Sequence, residues 1–318
     1  MSIDVLAIGE LLADLIGTET AGGLADTSRF ERYQGGSPAN LCRTLALAGR
    51  QPALVACVGE DGLGVFLRRE LAEHGVDTTA VRATPHAPTS LVLLARSAGT
   101  AEFSAYRHAD PLLEPAHVPD DMLAAARIVH TTCFALSRSP ARSTLLDVAA
   151  RVAPRASPPE DRDDERAVLS IDANYAPSVW PARSEARTVV KAFCRHRPLV
   201  KVSTDDLDRL FASPDAPDGR TDPRDAVETL HRWGARLVCW TRGADGSVVS
   251  WDGGAQQTTV PAPQVEVVDA TGAGDAFWAG FLHAWLRDAP PPDCAATGAR
   301  VAARKLSQAG PLTTPISG

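Results

Sequence analysis

Apolar residues along the chain follow two alternating rhythms. Short unbroken runs of valine, leucine and isoleucine occur in VLAIG near the start, ALVACVG at 53–59, RIVHTT at 127–132, VLSID at 168–172, LVKVS at 199–203 and RLVCWT at 236–241. Runs of that length and composition read as strands buried on both faces. Between them, PANLCRTLALAG, GVFLRRELAEHG, ARSTLLDVAARV and PRDAVETLHRWG repeat their apolar positions at helical spacing, and two more such stretches close the chain. The alternation predicts βαβ units: an α/β fold with a mostly parallel sheet and helices on both faces. In such sheets a ligand lies at the carboxyl ends of the strands.

Two segments break the rhythm. Residues 11–34 and about 88–110 look like extra strands, the second a hairpin turning at Ser97–Thr100. Together they predict a small β-sheet covering a cleft, inserted in a single domain that spans residues 1–318. The stretches APRASPPEDRDDER (153–166) and ASPDAPDGRTDP (212–223) are rich in proline and charge and read as solvated loops. No internal repeat is visible.

Composition narrows the function classes. With 44% hydrophobic and 22% charged residues, the chain can bury a core. Its formal net charge of −7 argues against nucleic acid or an anionic membrane as main partner. Cysteines 42, 57, 133, 194, 239 and 294 form no CxxC pair and read as reduced residues, several of them in apolar surroundings. The N-terminal run is broken by Glu10 and Asp14 and lacks a basic start, so it reads as a strand rather than a signal peptide. No apolar run reaches membrane-spanning length. The expected location is cytoplasmic.

Chemistry concentrates in two places. In VVDATGAGDAFWAGFL, Val267 to Leu282, Gly272, Ala273 and Gly274 precede Asp275 at the mouth of an apolar helix. A helix N-terminus presents unpaired N–H groups and partial positive charge, and glycines let an anion approach them closely. Asp275 there can act as a general base toward a hydroxyl. Alone, the stretch is equally a plain strand-to-helix turn with an acidic first turn. The second place is QGGSPANLCRTLALAG, 34–49, where Gly35, Gly36 and Pro38 open another helix with Asn40 in its first turn. Neither GxxxxGK[ST] nor GxGxxG occurs, so phosphate-loop and dinucleotide motifs offer no competing explanation, and a dehydrogenase is set aside.

GGSPAN followed by DATGAGDAF resembles the paired signatures of the ribokinase-like (PfkB) carbohydrate kinases. The resemblance runs over nearly the whole chain, through AIGELLADL, YRHADPLL, IDANYAPSVWP, VKVSTDDLDRL and WTRGADGSVV, and is closest to bacterial fructokinases. It implies a three-layer α/β/α sandwich with a β-sheet lid. The implied activity is transfer of the γ-phosphoryl group of ATP, with Mg²⁺ bridging phosphates, to a primary sugar hydroxyl; fructose, giving fructose 6-phosphate, is the first expectation. Asp275 would take the hydroxyl proton while the N–H groups of Gly272, Ala273 and Gly274 hold the developing charge. Asp14, Gly35, Gly36, Asn40 and Asn174 would bind sugar, with Tyr106 and Arg107 reaching in from the lid. Thr241, Gly243 and Gly246 match the nucleotide turn. Asp269 matches a position beside the monovalent-cation site that many members use, which leaves K⁺ dependence open.

Two departures bear on this reading. Ala176 stands where fructokinases carry an Arg, removing a rigid charged contact. Asp206 stands where the family has Glu near the Mg²⁺–phosphate region, so a water-mediated metal contact must stretch. The alternatives are a kinase for 2-keto-3-deoxygluconate, ribose or a nucleoside, or a catalytically weak sugar- or nucleotide-binding protein. The lid predicts low ATP hydrolysis without sugar, and its apolar LVLLA run predicts a homodimer. His130, Thr131, Thr132 and Cys133 either narrow the pocket or pack at a strand end. His74, His108 and His231 read as surface residues, and Trp180, Trp240 and Trp285 as core.

Overall fold

The computed structural model describes residues 2–96, 103–152, 167–211 and 221–316. Its strands up to the lid are β1 (Ile3–Ile8), β2 (Leu12–Thr20), β3 (Phe30–Gly35), β4 (Pro52–Gly59), β5 (Val81–Thr84), β6 (Leu91–Arg96) and β7 (Phe103–Tyr106). Then come β8 (Ala126–Thr132), β9 (Val168–Asp172), β10 (Leu199–Ser203), β11 (Leu237–Thr241), β12 (Ser247–Trp251) and β13 (Gln256–Val260). The helices are α1 (Ser37–Leu47), α2 (Gly62–Glu73), α3 (Asp120–Ala125), α4 (Ala141–Val152) and α5 (Arg183–Cys194). They continue as α6 (Thr204–Phe211), α7 (Pro223–Trp233), α8 (Ala273–Trp285) and α9 (Pro291–Leu306).

All six apolar runs became strands of one sheet, in the order β13-β12-β11-β10-β9-β8-β1-β4-β5. The strands from β11 to β5 in that order pair in parallel, while β12 and β13 add an antiparallel edge. β1 pairs with β4 on one side and β8 on the other, so the chain first builds outward one way and then the other. The carboxyl ends around β1 and β8 are thus a topological switch point, where open α/β sheets bind ligands.

Alternating residues feed two layers. On one face Ile8, Val129, Val200 and Val238 pack with Leu145, Val190, Phe193 and Leu230 of α4, α5 and α7. On the other, Val5, Ile128, Leu199 and Leu237 pack with Phe277, Trp278, Phe281 and Ala295 of α8 and α9. Phe281 is wholly buried and stacks on Trp278 with centroids 4.6 Å apart. Truncating so large a buried ring costs about 3–5 kcal/mol. The chain therefore forms the three-layer arrangement with α8 held rigidly by its apolar face, leaving its N-terminus to face the cleft.

The departing segments form a separate four-stranded sheet, β3-β2-β6-β7. β2 and β3 pair antiparallel, with Leu12 opposite Gly35 and Asp14 opposite Tyr33, and β6 and β7 do likewise. The turn expected at Ser97–Thr100 lies outside the described residues, as do the loop 153–166 and most of 212–223. Helices α5 and α6 and the β12–β13 edge were not legible as apolar runs, because each is short or polar on its exposed side. His108 is exposed, but His74 and His231 are not free surface residues. His231 is buried, donating through Nδ1 to the Ala235 carbonyl and accepting from Ser250 Oγ, while His74 accepts from Arg43. Trp180 is buried, and Trp240 and Trp285 pack partly buried against the core.

Candidate active site

Two helix starts face each other across the cleft. α1 begins after Gly36 and α8 after Gly272, whose left-handed φ of 74° suits a residue without a Cβ. Between them lies Asp275, whose Oδ1 accepts from Ser37 Oγ at 2.7 Å and whose Oδ2 accepts from Asn40 Nδ2 at 2.8 Å. Asn40 is in turn held by Gln34, whose Nε2 donates to Asn40 Oδ1 at 2.9 Å. Burial raises the Asp275 pKa above the ordinary carboxylate value, outweighing the Ser37 and Asn40 hydrogen bonds and the charge of Lys201. Of the three N–H groups expected to meet an anion, that of Ala273 turns back to Ala270 O. Those of Gly272, Gly274 and Asp275 have no acceptor among the described residues.

Asp14 enters from the lid strand β2. A Cβ on the neighbouring Gly35 would lie 2.3 Å from Asp14 Cγ, so only glycine leaves room for that carboxylate. Burial, and then the negative charge of Asp275, raise the Asp14 pKa to about 7. Two acids that repel across a cleft define a place where a polyol, with hydroxyls to donate to both, is welcome. Gly36 sets the turn between Asp14's sheet and Asn40's helix: a side chain there would strike the Glu10 carbonyl at 2.4 Å.

Beneath the α8 start sits a buried ion cluster. Lys201 of β10 donates to both Asp172 oxygens, at 3.1 and 3.0 Å. Its Nζ lies only 3.0 Å from where a Cβ on Gly274 would be, so the ammonium supports the GAGD turn from below. Asp206 is fixed by Ser203, whose N–H and hydroxyl both donate to Oδ2, at 3.0 and 2.5 Å. Burial, with Asp206 and Asp275 nearby, raises the Asp172 pKa to about 7 against the pull of Lys201. Among the described residues Asp172, Asp206 and Asp275 thus share one ammonium, which leaves the cluster short of positive charge. Among the described residues no cluster of three or more His, Cys, Asp or Glu could hold a metal by itself.

Asp269, at the head of DATGAGD, has its own cation. Lys305 Nζ donates to Asp269 O and Oδ2, both at 3.2 Å, and Gly310 N adds a third contact, at 3.0 Å to Oδ2. Burial alone would raise the Asp269 pKa; the Thr271 and Lys305 hydrogen bonds reverse this and lower it.

The remaining residues divide. Tyr106 stands half exposed at the end of β7. Arg107 is buried, donating to Asp110 and to Phe134 O (3.0 Å) and Ser137, with its guanidinium 4.2 Å from the Phe134 ring. It braces the lid against the turn after β8. Asn174 accepts from Phe134 N at 3.1 Å. Thr241 ends β11 beside Ser203, and Gly243 in the following turn has open space where a side chain would be. Gly246 has a φ of 81° and abuts Val260 O, so both its backbone and its packing call for glycine. His130 is wholly buried against Ser170, and Thr132 donates to the buried Glu10 at 2.8 Å, so these residues pack the strand ends.

Ser37, Gln34 and Lys201 were not anticipated. Ser37 and Gln34 flank Gly35–Gly36 and look like ordinary turn residues in sequence. Lys201 had a signal: a lysine inside the apolar strand LVKVS must find a carboxylate once buried.

The chain is similar to known carbohydrate kinases. The family profile for pfkB family carbohydrate kinases matches residues 2–316. An ATP-dependent 6-phosphofructokinase of Thermoanaerobacterium thermosaccharolyticum is 31% identical over 312 residues, 97% of this chain and 89% of the relative. Fructokinase-1 of Oryza sativa subsp. japonica is 32% identical over 287 residues, 89% of this chain and 83% of the relative. A Xylella fastidiosa fructokinase solved with bound ATP is 25% identical with a TM-score of 0.82, covering 98% of this chain and 94% of that one.

Proposed function

The chain belongs to the pfkB family of carbohydrate kinases, and from that membership we propose that it moves the γ-phosphoryl group of ATP to a primary hydroxyl of a sugar, with fructose as the preferred acceptor. The observation that carries the reading is Asp275, an acid at the head of α8 held by Ser37 and Asn40 beside unpaired N–H groups. The sugar hydroxyl oxygen bonds to the γ-phosphorus as the bond from that phosphorus to the β–γ bridging oxygen breaks. The hydroxyl proton passes to Asp275, and ADP leaves. Burial raises the Asp275 pKa above the ordinary carboxylate value of about 4, but a carboxylate remains a weak base toward an alcohol, so proton transfer comes late and the carboxylate chiefly aims the nucleophile. The N–H groups of Gly272 and Gly274, with Lys201 behind them, stabilise charge on the phosphoryl oxygens.

Mg²⁺ would neutralise phosphate oxygens. Asp206 is the residue we place beside it, through a water, because Ser203 uses only its Oδ2. Asp14 and Asn40 would hold sugar hydroxyls, and the Thr241–Gly246 turn the nucleotide. The lid would exclude water that otherwise hydrolyses ATP. Fructose is favoured by the fructokinase relatives and by Arg107, which is already paired with Asp110 and so offers no free charge to a second phosphate. Fructose 6-phosphate is a second reading, favoured by the phosphofructokinase relative that matches 97% of the chain.

Consumption of Mg·ATP against fructose, fructose 6-phosphate, 2-keto-3-deoxygluconate, ribose and a nucleoside tests the proposal. Turnover with fructose alone supports it; turnover with one of the others only reassigns the acceptor. Saturable sugar binding without turnover would favour a binding protein.

A further inference from the structure

Lys305 is a nearly buried lysine, 4% exposed, in the last turn of α9. Its ammonium touches both the main-chain carbonyl and the carboxylate of Asp269. The same helix end is tied to this segment by backbone: Leu306 O accepts from Val268 N at 2.8 Å and from Asp269 N at 3.3 Å. Asp269 Oδ1 then accepts from Thr271 N at 2.9 Å, one residue before Gly272 opens α8. The ammonium therefore fixes the turn that presents the anion-binding N–H groups. Lys305 and Asp269 also line the same cleft as Asp14, Asn40 and Gly272.

A free monovalent cation beside Asp269 would need the oxygens that Lys305 already holds. Ammonium and K⁺ carry the same charge and are close in size, and two such charges on one carboxylate repel with little water to screen them. The residues present do not fit a free ion. We propose that Lys305 is a positioning residue that replaces a monovalent cation, its tethered ammonium holding the Asp269–Gly272 turn so that phosphoryl transfer by this chain needs no K⁺. The proposal rests on the phosphoryl-transfer reading of the site, but its structural half can be tested apart from activity.

The experiment compares wild type, Lys305→Ala and Lys305→Met in potassium, ammonium and tetramethylammonium chloride at equal ionic strength. Both kinase turnover and melting temperature are followed. Wild type is expected to respond to none of the three salts. In the variants kcat should fall about 10- to 100-fold in tetramethylammonium, as for loss of an outer-shell partner, and be restored by K⁺ or NH₄⁺. The same two ions should raise the variants' melting temperature, a response that lost packing alone would not give. Strong activation of wild type by K⁺ would overturn the proposal, as would folded variants that neither ion rescues or stabilises. Should the variants not fold, the wild-type K⁺ titration still decides. Should no sugar be phosphorylated, ion-specific melting decides.

Discussion

Asn40 Nδ2 donates to Asp275 Oδ2 across 2.8 Å, joining the first turn of α1 to the first turn of α8, residues far apart in sequence. Helix α1 thus aims the Asp275 carboxylate directly. Asn40→Ala should lower kcat about 10- to 100-fold, less than the roughly 10²–10⁴ that a positioned base supplies, and leave the KM for ATP unchanged. Steady-state kinetics with both substrates varied checks this; a change in sugar KM alone would mean that Asn40 only binds substrate.

Gly35 is constrained by Asp14, not by its own backbone. Gly35→Ala puts a methyl 2.3 Å from Asp14 Cγ, so the carboxylate must move. Sugar affinity should fall sharply, with an overpacking cost of about 1–3 kcal/mol, while nucleotide binding persists. Calorimetric titration of each ligand separates the two effects.

Asp14 also makes a pH prediction. Its folded-state pKa of about 7 exceeds the ordinary 3.8, so the native state binds this proton more tightly than the unfolded chain. The stabilisation is present in full below the unfolded value and is lost as pH rises through about 7. Because the group is partly accessible, about 1–2 kcal/mol is the expected scale rather than the full shift. Asp14→Asn should therefore be more stable than wild type near about pH 8 and gain less near about pH 5, the gain vanishing only near about pH 3. Urea unfolding at both pH values reads this directly, and an equal gain at each would contradict it.

Among the described residues Lys201 is the cation shared by Asp172, Asp206 and Asp275. Lys201→Met should destabilise the fold by about 3–5 kcal/mol, because a buried carboxylate loses its partner. The loss should shrink at lower pH, where Asp172, with a pKa of about 7, can take up a proton instead. Chemical denaturation against pH measures both the size and the trend.

The sequence reveals much of this arrangement because its signals are local. Unbroken apolar runs such as ALVACVG sit in a sheet covered on both faces, and all eight residues of β4 are buried. Likewise GAGD and GGSPAN mark helix starts by glycine, proline and a short polar residue. What stayed hidden depends on partners distant in the chain. Arg107 follows an exposed Tyr106 and gives no local hint that it turns inward to Asp110. Nor does Lys305, in an ordinary helix end, announce that it neutralises Asp269. His231 looked like a surface residue because Ser250, its partner, lies on β12, a short strand that carries no strong apolar run.

The proposed function turns on Asp275 taking the hydroxyl proton during phosphoryl transfer. The most direct test is single-turnover transfer of the γ-phosphoryl group from Mg·ATP to the acceptor sugar in wild type and Asp275→Asn, with ATP and sugar binding measured on the same samples. The variant should still bind both ligands and transfer about 10²–10⁴-fold more slowly. Transfer at the wild-type rate, with binding intact, would contradict it.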